Sequence, residues 1–105
     1  MKIITKAIEK DLARYPLYSQ DGKGKAAHVI MKLFCPFSSA TWYILEGNPL
    51  PGGDYELFTL FTNRSEKEYG YQLLSELRKA YGRWLERDLY FSGTVADALK
   101  DAGLE

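Results

Sequence analysis

A single cysteine, a single histidine and no surplus of either charge leave this sequence with little from which to build a reactive centre or a charged coat. With Cys35 alone, an intrachain disulfide is excluded, and nothing signals an oxidising compartment. Cys35 and His28 together cannot close a zinc site without carboxylates. His28 is also the only imidazole for a Ser-His-Asp arrangement. It would have to work with Ser38, Ser39 or Ser75, none of which sits in a nucleophile-elbow sequence. Fourteen Lys and Arg balance fourteen Asp and Glu, which argues against both a polyanion mimic and a strongly basic DNA coat, since each needs a large field of one sign. Long apolar runs are missing too. Val29 to Phe37 is interrupted by Lys32 and falls far short of the roughly 20 residues of a membrane span, so no membrane partner is expected. The opening MKIITKAIEKDLARY has no unbroken apolar centre of the signal-peptide kind, so the expected location is the cytoplasm. There is no internal repeat.

What is present is the make-up of one compact domain over residues 1–105, with 46% apolar and 27% charged residues. A chain of this length buries roughly 65% of the surface its unfolded form exposes, enough for a core without metal or disulfide staples. Aromatics make up 14% of the residues, and eight are tyrosine, which excludes a disordered tail.

Thr5 is placed to cap a short helix with Ile4, Ile8 and Leu12 on one face, ended by Tyr15-Pro16. PLYSQDGKGKAA reads as a loop. From His28 to Cys35 the period switches to two, with Val29, Met31, Leu33 and Cys35 on the apolar face. TWYILE (41–46) and DYELFTLFT (54–62) are two further strands separated by the turn-rich NPLPGGD. NRSEKE reads as a turn, Tyr69-Gly70-Tyr71 as a short fourth strand, and Ser75 as the cap of a helix stopped by Gly82. ERDLYF (86–91) returns to an extended pattern. Thr94 and Asp97 form a capping box for a last helix ending at Gly103. The expected fold is α+β: an antiparallel β-meander of three to five strands with short helices at both ends and one between strands.

PLYSQDGKGK (16–25), TWYILEGNP (41–49), GDYELFTLF (53–61), EYGY followed by SEL, and LERDLYF (85–91) together resemble the domain-of-unknown-function 2958 family, small bacterial proteins carried on plasmids and conjugative elements. The likeness spans Lys6 to Phe91. It implies an accessory protein of a mobile genetic element, and it brings no activity, cofactor or catalytic residue. The segment from Leu77 to Leu85, with Arg83-Trp84, departs from the family's usual Gly-Pro-rich spacer.

Function therefore has to be read from surface chemistry. A magnesium site for phosphodiester cleavage needs two or three convergent carboxylates. Glu46, Asp54, Glu56, Glu86 and Asp88 are the strand-borne candidates, with Glu46, Glu86 and Asp88 foremost. Alternation puts Glu46 on the side of Trp42 and Ile44, partly covered, where a structural ion pair with Arg87 is the favoured reading. Asp21-Gly-Lys-Gly-Lys25 lacks the spacing and the GK[ST] end of a P-loop and reads as a solvated turn, with anion contact through Lys23 and Lys25 as the lesser reading. Residues 1–27 nevertheless carry six bases and three acids, against three bases and five acids in residues 28–72. Most strand aromatics are expected in the core. Tyr18 and Trp84, flanked by polar residues, are expected to be exposed.

Tyr, Trp and Arg dominate protein-interface hot spots. The first expectation is thus a non-enzymatic module that binds an unknown protein, without cofactor, through Tyr18, Asp21, Lys23, Lys25, Arg83, Trp84 and Arg87. The alternative is a single-stranded nucleic-acid binder or metal-dependent nuclease, with Lys23, Lys25, Arg83 and Arg87 on phosphates. An aromatic-bearing edge strand also leaves a homodimer open.

Overall fold

Local sequence decides the helix ends. In the computed structural model, which describes residues 2–105, Thr5 Oγ1 accepts the Ile8 amide at 3.2 Å and opens helix α1 (Lys6–Arg14). Ile8 and Leu12, one turn apart, are buried. Helix α3 (Val95–Asp101) starts at Thr94, whose amide donates to Asp97 Oδ2 at 2.8 Å while Asp97 reciprocates to Thr94 Oγ1. It ends with the Leu104 amide on the Leu99 carbonyl and the Gly103 amide on that of Lys100, Gly103 taking φ +74°. Helix α2 (Leu74–Tyr81) does stop at Gly82, but Ser75 is not its cap. Ser75 lies inside the helix, where its amide and hydroxyl bind the Asp54 carboxylate at 2.8 and 2.6 Å. An acid 21 residues upstream satisfies that end, and these bonds hold the Asp54 carboxyl below its usual range.

The strands are β1 (His28–Val29), β2 (Met31–Phe34), β3 (Ala40–Pro49), β4 (Tyr55–Asn63), β5 (Glu66–Leu73), β6 (Glu86–Arg87) and β7 (Gly93–Thr94). Five form an antiparallel sheet in the order β5-β4-β3-β2-β6, and β1 pairs separately with β7. With three helices, this is the expected α+β fold built on a β-meander.

Three strand readings need correction. The run from 28 to 35 breaks at Ile30, whose amide crosses to the Ile44 carbonyl. Glu66, Lys67 and Glu68 are strand rather than turn, so β5 has eight residues. It is an edge strand, where charged side chains remain in solvent. ERDLYF is extended only at Glu86 and Arg87. There the Asp88 side chain accepts the Tyr90 and Phe91 amides at 2.8 and 3.2 Å and turns the chain.

Both faces of the sheet are covered. Trp42, Ile44, Leu57, Leu33 and Met31 cluster with Ile8 and Leu12 of α1 and Leu74 and Leu77 of α2. On the opposite face Tyr43, Leu45 and Leu60 cluster with Val95, Ala98 and Leu99 of α3. Each fully buried side chain of this kind contributes roughly 1.5–3 kcal/mol of transfer free energy, so every helix is fastened to the sheet by its own buried aliphatic side chains rather than by propensity.

Tyr43 carries the one hydroxyl of the second cluster to the surface. It is 1% exposed, and its hydroxyl donates to Asp101 Oδ2 at 2.7 Å. Lys32 Nζ sits 2.7 Å from the same oxygen and 3.4 Å from Asp88 Oδ2. Burial, and then the bond to Asp101 and the charges of Asp101 and Asp88, push the Tyr43 hydroxyl well above its ordinary value. In the unfolded chain this group ionises near pH 10, whereas in the folded chain it stays protonated. Its stabilisation is therefore complete below that pH and fades as pH rises further. Tyr43→Phe is expected to cost about 1–2 kcal/mol at neutral pH and to flatten the alkaline loss. Urea midpoints at neutral pH and above the tyrosine pKa measure this; parallel losses in wild type and variant would refute it.

Candidate functional site

The site begins with an irregularity in β3. Its register with β4 shifts between Ile44 and Glu46, so that Ile44 faces Thr59 and Glu46 faces Phe58, with Leu45 inserted between. Such a bulge reverses the alternation beyond it. Glu46 accordingly leaves the side of Trp42 and Ile44 and joins that of Leu45 and Phe58, correcting the expected placement. Nor does it serve Arg87, which lies opposite Leu33 on β2, on the far side of β3 from β4. At 2% exposure, Glu46 accepts the Tyr18 amide at 2.7 Å through Oε1 and the Gln20 amide at 2.8 Å through Oε2.

Gln20 completes the anchor. Its side-chain nitrogen donates to the His28 and Leu45 carbonyls at 2.8 and 2.7 Å, and its oxygen accepts the His28 amide at 2.6 Å. Asn48 Oδ1 takes the Leu17 amide at 3.0 Å. The loop that reads as flexible from its glycines is thus tied by buried polar groups. One consequence is local strain, for Tyr18 is held at φ +74°, a region that costs a non-glycine residue about 1–2 kcal/mol. Its ring remains 63% exposed.

Tyr18 opens an aromatic ridge. Its ring centroid is 6.3 Å from that of Tyr71, Tyr71 is 5.1 Å from Phe58, and Phe58 stacks on Tyr69 at 6.0 Å. Tyr69 and Tyr71 share one face of β5, opposite Leu60 and Phe58 of β4, and stay about half exposed. Partial burial, then the neighbouring Tyr18 charge and hydroxyl, raise the Tyr71 pKa. Beside the ridge, a hollow of about 200 Å³ is lined by Gln20, Asp21, Leu45, Glu46 and Tyr69.

The sequence-predicted residues divide between the two sheet edges. Tyr18 and Asp21 belong to the ridge near β5. Lys23 lies 5.7 Å above the Tyr15 ring, and Lys25 bonds Glu105 at 2.7 Å. Arg83 stacks on Trp84 at 4.6 Å, Trp84 meets Phe37 edge-on at 4.8 Å, and Arg87 sits on β6 at the opposite edge. Tyr18 and Trp84 are exposed as expected, and so are Tyr69, Tyr71 and Tyr90, although most strand aromatics are expected in the core. The spacing of two in Tyr69-Gly70-Tyr71 signals that the two ridge tyrosines share a face, but not that the face is open.

The three foremost acids do not converge. Glu46 binds loop amides, Glu86 lies opposite Phe34, and Asp88 pairs with Lys32. The Tyr90 amide, with help from Lys32, lowers the Asp88 pKa. Among the described residues no three His, Cys, Asp or Glu side chains gather in a metal-binding group. No helix among them is long and apolar enough to cross a membrane. Cys35 is buried, and the His28 ring stacks on Tyr15 at 4.9 Å.

A family model described as a protein of unknown function (DUF2958) matches residues 3–98. No curated protein and no solved structure matches the chain.

Proposed function

We propose, for a chain that belongs to this family of proteins of unknown function, that it is a non-enzymatic protein-binding module whose contact surface is the ridge of Tyr18, Tyr71 and Tyr69 with the adjoining Asp21 loop. The observation that carries the reading is Tyr18 itself. A buried carboxylate and a buried glutamine hold the loop in a conformation that strains the tyrosine and turns its ring to solvent. Strain retained at an exposed aromatic is spent on function more readily than on stability. Tyrosine is also a common interface anchor, presenting a large rigid surface with a polar tip. In this reading the chain is an accessory protein of a bacterial mobile genetic element, acting in the cytoplasm on a protein of the element or its host.

Tyr18→Gly separates the two roles. Glycine accepts the positive φ, so stability is expected to hold or rise by up to about 1 kcal/mol, while association weakens. A drop in melting temperature would instead make Tyr18 a packing residue and remove the anchor. The partner is sought with a photo-crosslinking phenylalanine analogue at position 18 in producing cells, and with the same group at exposed Lys79 as control. A discrete protein adduct specific to position 18 is expected. Identical adducts from both positions, or adducts digested by nuclease, would overturn the reading, the latter in favour of the nucleic-acid alternative. An adduct between two copies would identify the partner as the chain itself.

A further inference from the structure

On the other face of β5 the chain keeps open a space that its backbone does not require. Gly70 lies opposite Thr59 in the β4–β5 ladder, and its φ is not positive. A Cβ built on it would meet nothing within 4 Å. Any residue could stand there, yet glycine weakens a strand by giving it nothing to pack. Gly70 lines a cleft of about 330 Å³ that it shares with residues of β3, β4 and α2.

The lining of this cleft has a definite chemistry. Trp42, Phe61 and Tyr81 form an aromatic corner, with ring centroids 5.4 Å apart for Trp42–Phe61 and 5.1 Å for Trp42–Tyr81. Glu68, directly opposite Phe61 in the ladder, and Gln72 add a carboxylate and an amide on the open side. Among the described residues no basic side chain lines the space. Tyr81, the last residue of α2, brings the end of that helix's side-chain row to the cleft. Aromatic rings beside a carboxylate, with no basic side chain in the lining, favour a positive guest and disfavour an anion.

We propose that this cleft binds an organic cation, the guanidinium or ammonium head of an arginine or lysine side chain or of a free small amine, with the head against the aromatic corner and its charge met by Glu68. The inference goes beyond the Tyr18 ridge, which lies on the opposite face of the same strand. It stands whether or not the ridge binds a protein.

The test uses the full chain carrying Trp84→Phe, which leaves Trp42 as the only tryptophan. Its emission is titrated with a blocked Gly-Arg-Gly tripeptide, the citrulline analogue as neutral isostere, and tetramethylammonium chloride. Saturable quenching by the arginine peptide is expected, with the citrulline peptide roughly tenfold weaker or worse. Gly70→Val should abolish the response without lowering the melting temperature, because the added methyls occupy empty space on a strand. Glu68→Gln, at an exposed position, should weaken binding roughly threefold to tenfold even if Gly70→Val fails to fold. A response to tetramethylammonium alone would assign the site to a free quaternary amine, and a response to arginine alone to a polypeptide side chain. Equal binding of the citrulline and arginine peptides, quenching that survives a folded Gly70→Val, or no response to any cation would overturn the proposal. Loss of ridge crosslinking at position 18 would not touch it.

Discussion

Glu46→Ala is expected to destabilise the protein by about 3 kcal/mol, because each lost hydrogen bond to a buried charge is worth about 1.5–3 kcal/mol and the relieved desolvation of the carboxylate returns only part of the sum. The amides of Tyr18 and Gln20 have their acceptors on this one side chain, and the Gln20 bond is fully buried. Alanine leaves both donors behind. Without that anchor, the left-handed backbone at Tyr18 has nothing to hold it, and the segment from Leu17 to Ala27 should open to proteases before the sheet melts. Glu46→Gln separates charge from geometry. Its carbonyl can take one amide, but its NH₂ group then confronts the other, so an intermediate loss is expected. Urea unfolding read by tryptophan fluorescence, together with limited proteolysis of the loop, measures both. A Glu46→Ala variant within about 0.5 kcal/mol of wild type, in the range of ordinary surface changes, would mean that water replaces the carboxylate and that the ridge is not built on it.

This residue also marks where sequence reading stops. The Thr5 cap, the Thr94–Asp97 box, Gly82 and Gly103 are legible because each is settled within a few neighbouring residues. The central strands are legible because period two extends over whole segments. Glu46 defeats the same rule: alternation through Trp42 and Ile44 puts it on the wrong face, since one inserted residue reverses the parity. Nothing in TWYILE announces the insertion. The bulge makes sense only once two loop amides, 26 and 28 residues upstream, are seen to share the carboxylate. The same reach hides the Asp54–Ser75 cap and the length of β5, whose charged half looks like a turn until it is known to be an edge. In the candidate site, Tyr18 was visible through its polar surroundings. Its neighbours Tyr69 and Tyr71 were not, because strand aromatics look alike in sequence whether they fill a core or line an edge.

Gly93→Ala tests the opposite end of the fold and should cost about 3 kcal/mol, since the backbone strain there is of order 1–3 kcal/mol and a steric conflict adds to it. Gly93 has φ +145°, and a Cβ on it would stand 2.8 Å from both Cβ and Cγ of Asp97. Asp97 cannot simply swing aside. Its carboxylate accepts the Thr94 amide at 2.8 Å and closes the box that starts α3, the helix supplying Val95, Ala98 and Leu99 to the second core cluster. Gly93 also pairs with Val29 of β1, so a shifted backbone would disturb that ladder as well. A double-mutant cycle with Asp97→Ala separates the two contributions. If collision dominates, removing the Asp97 side chain relieves the alanine, and the double variant is more stable than the sum of the single losses predicts. If the left-handed backbone dominates, the losses add. A Gly93→Ala variant as stable as wild type would show that the junction between β7 and α3 can adopt another conformation, and that the capping box, not the glycine, determines how the last helix docks.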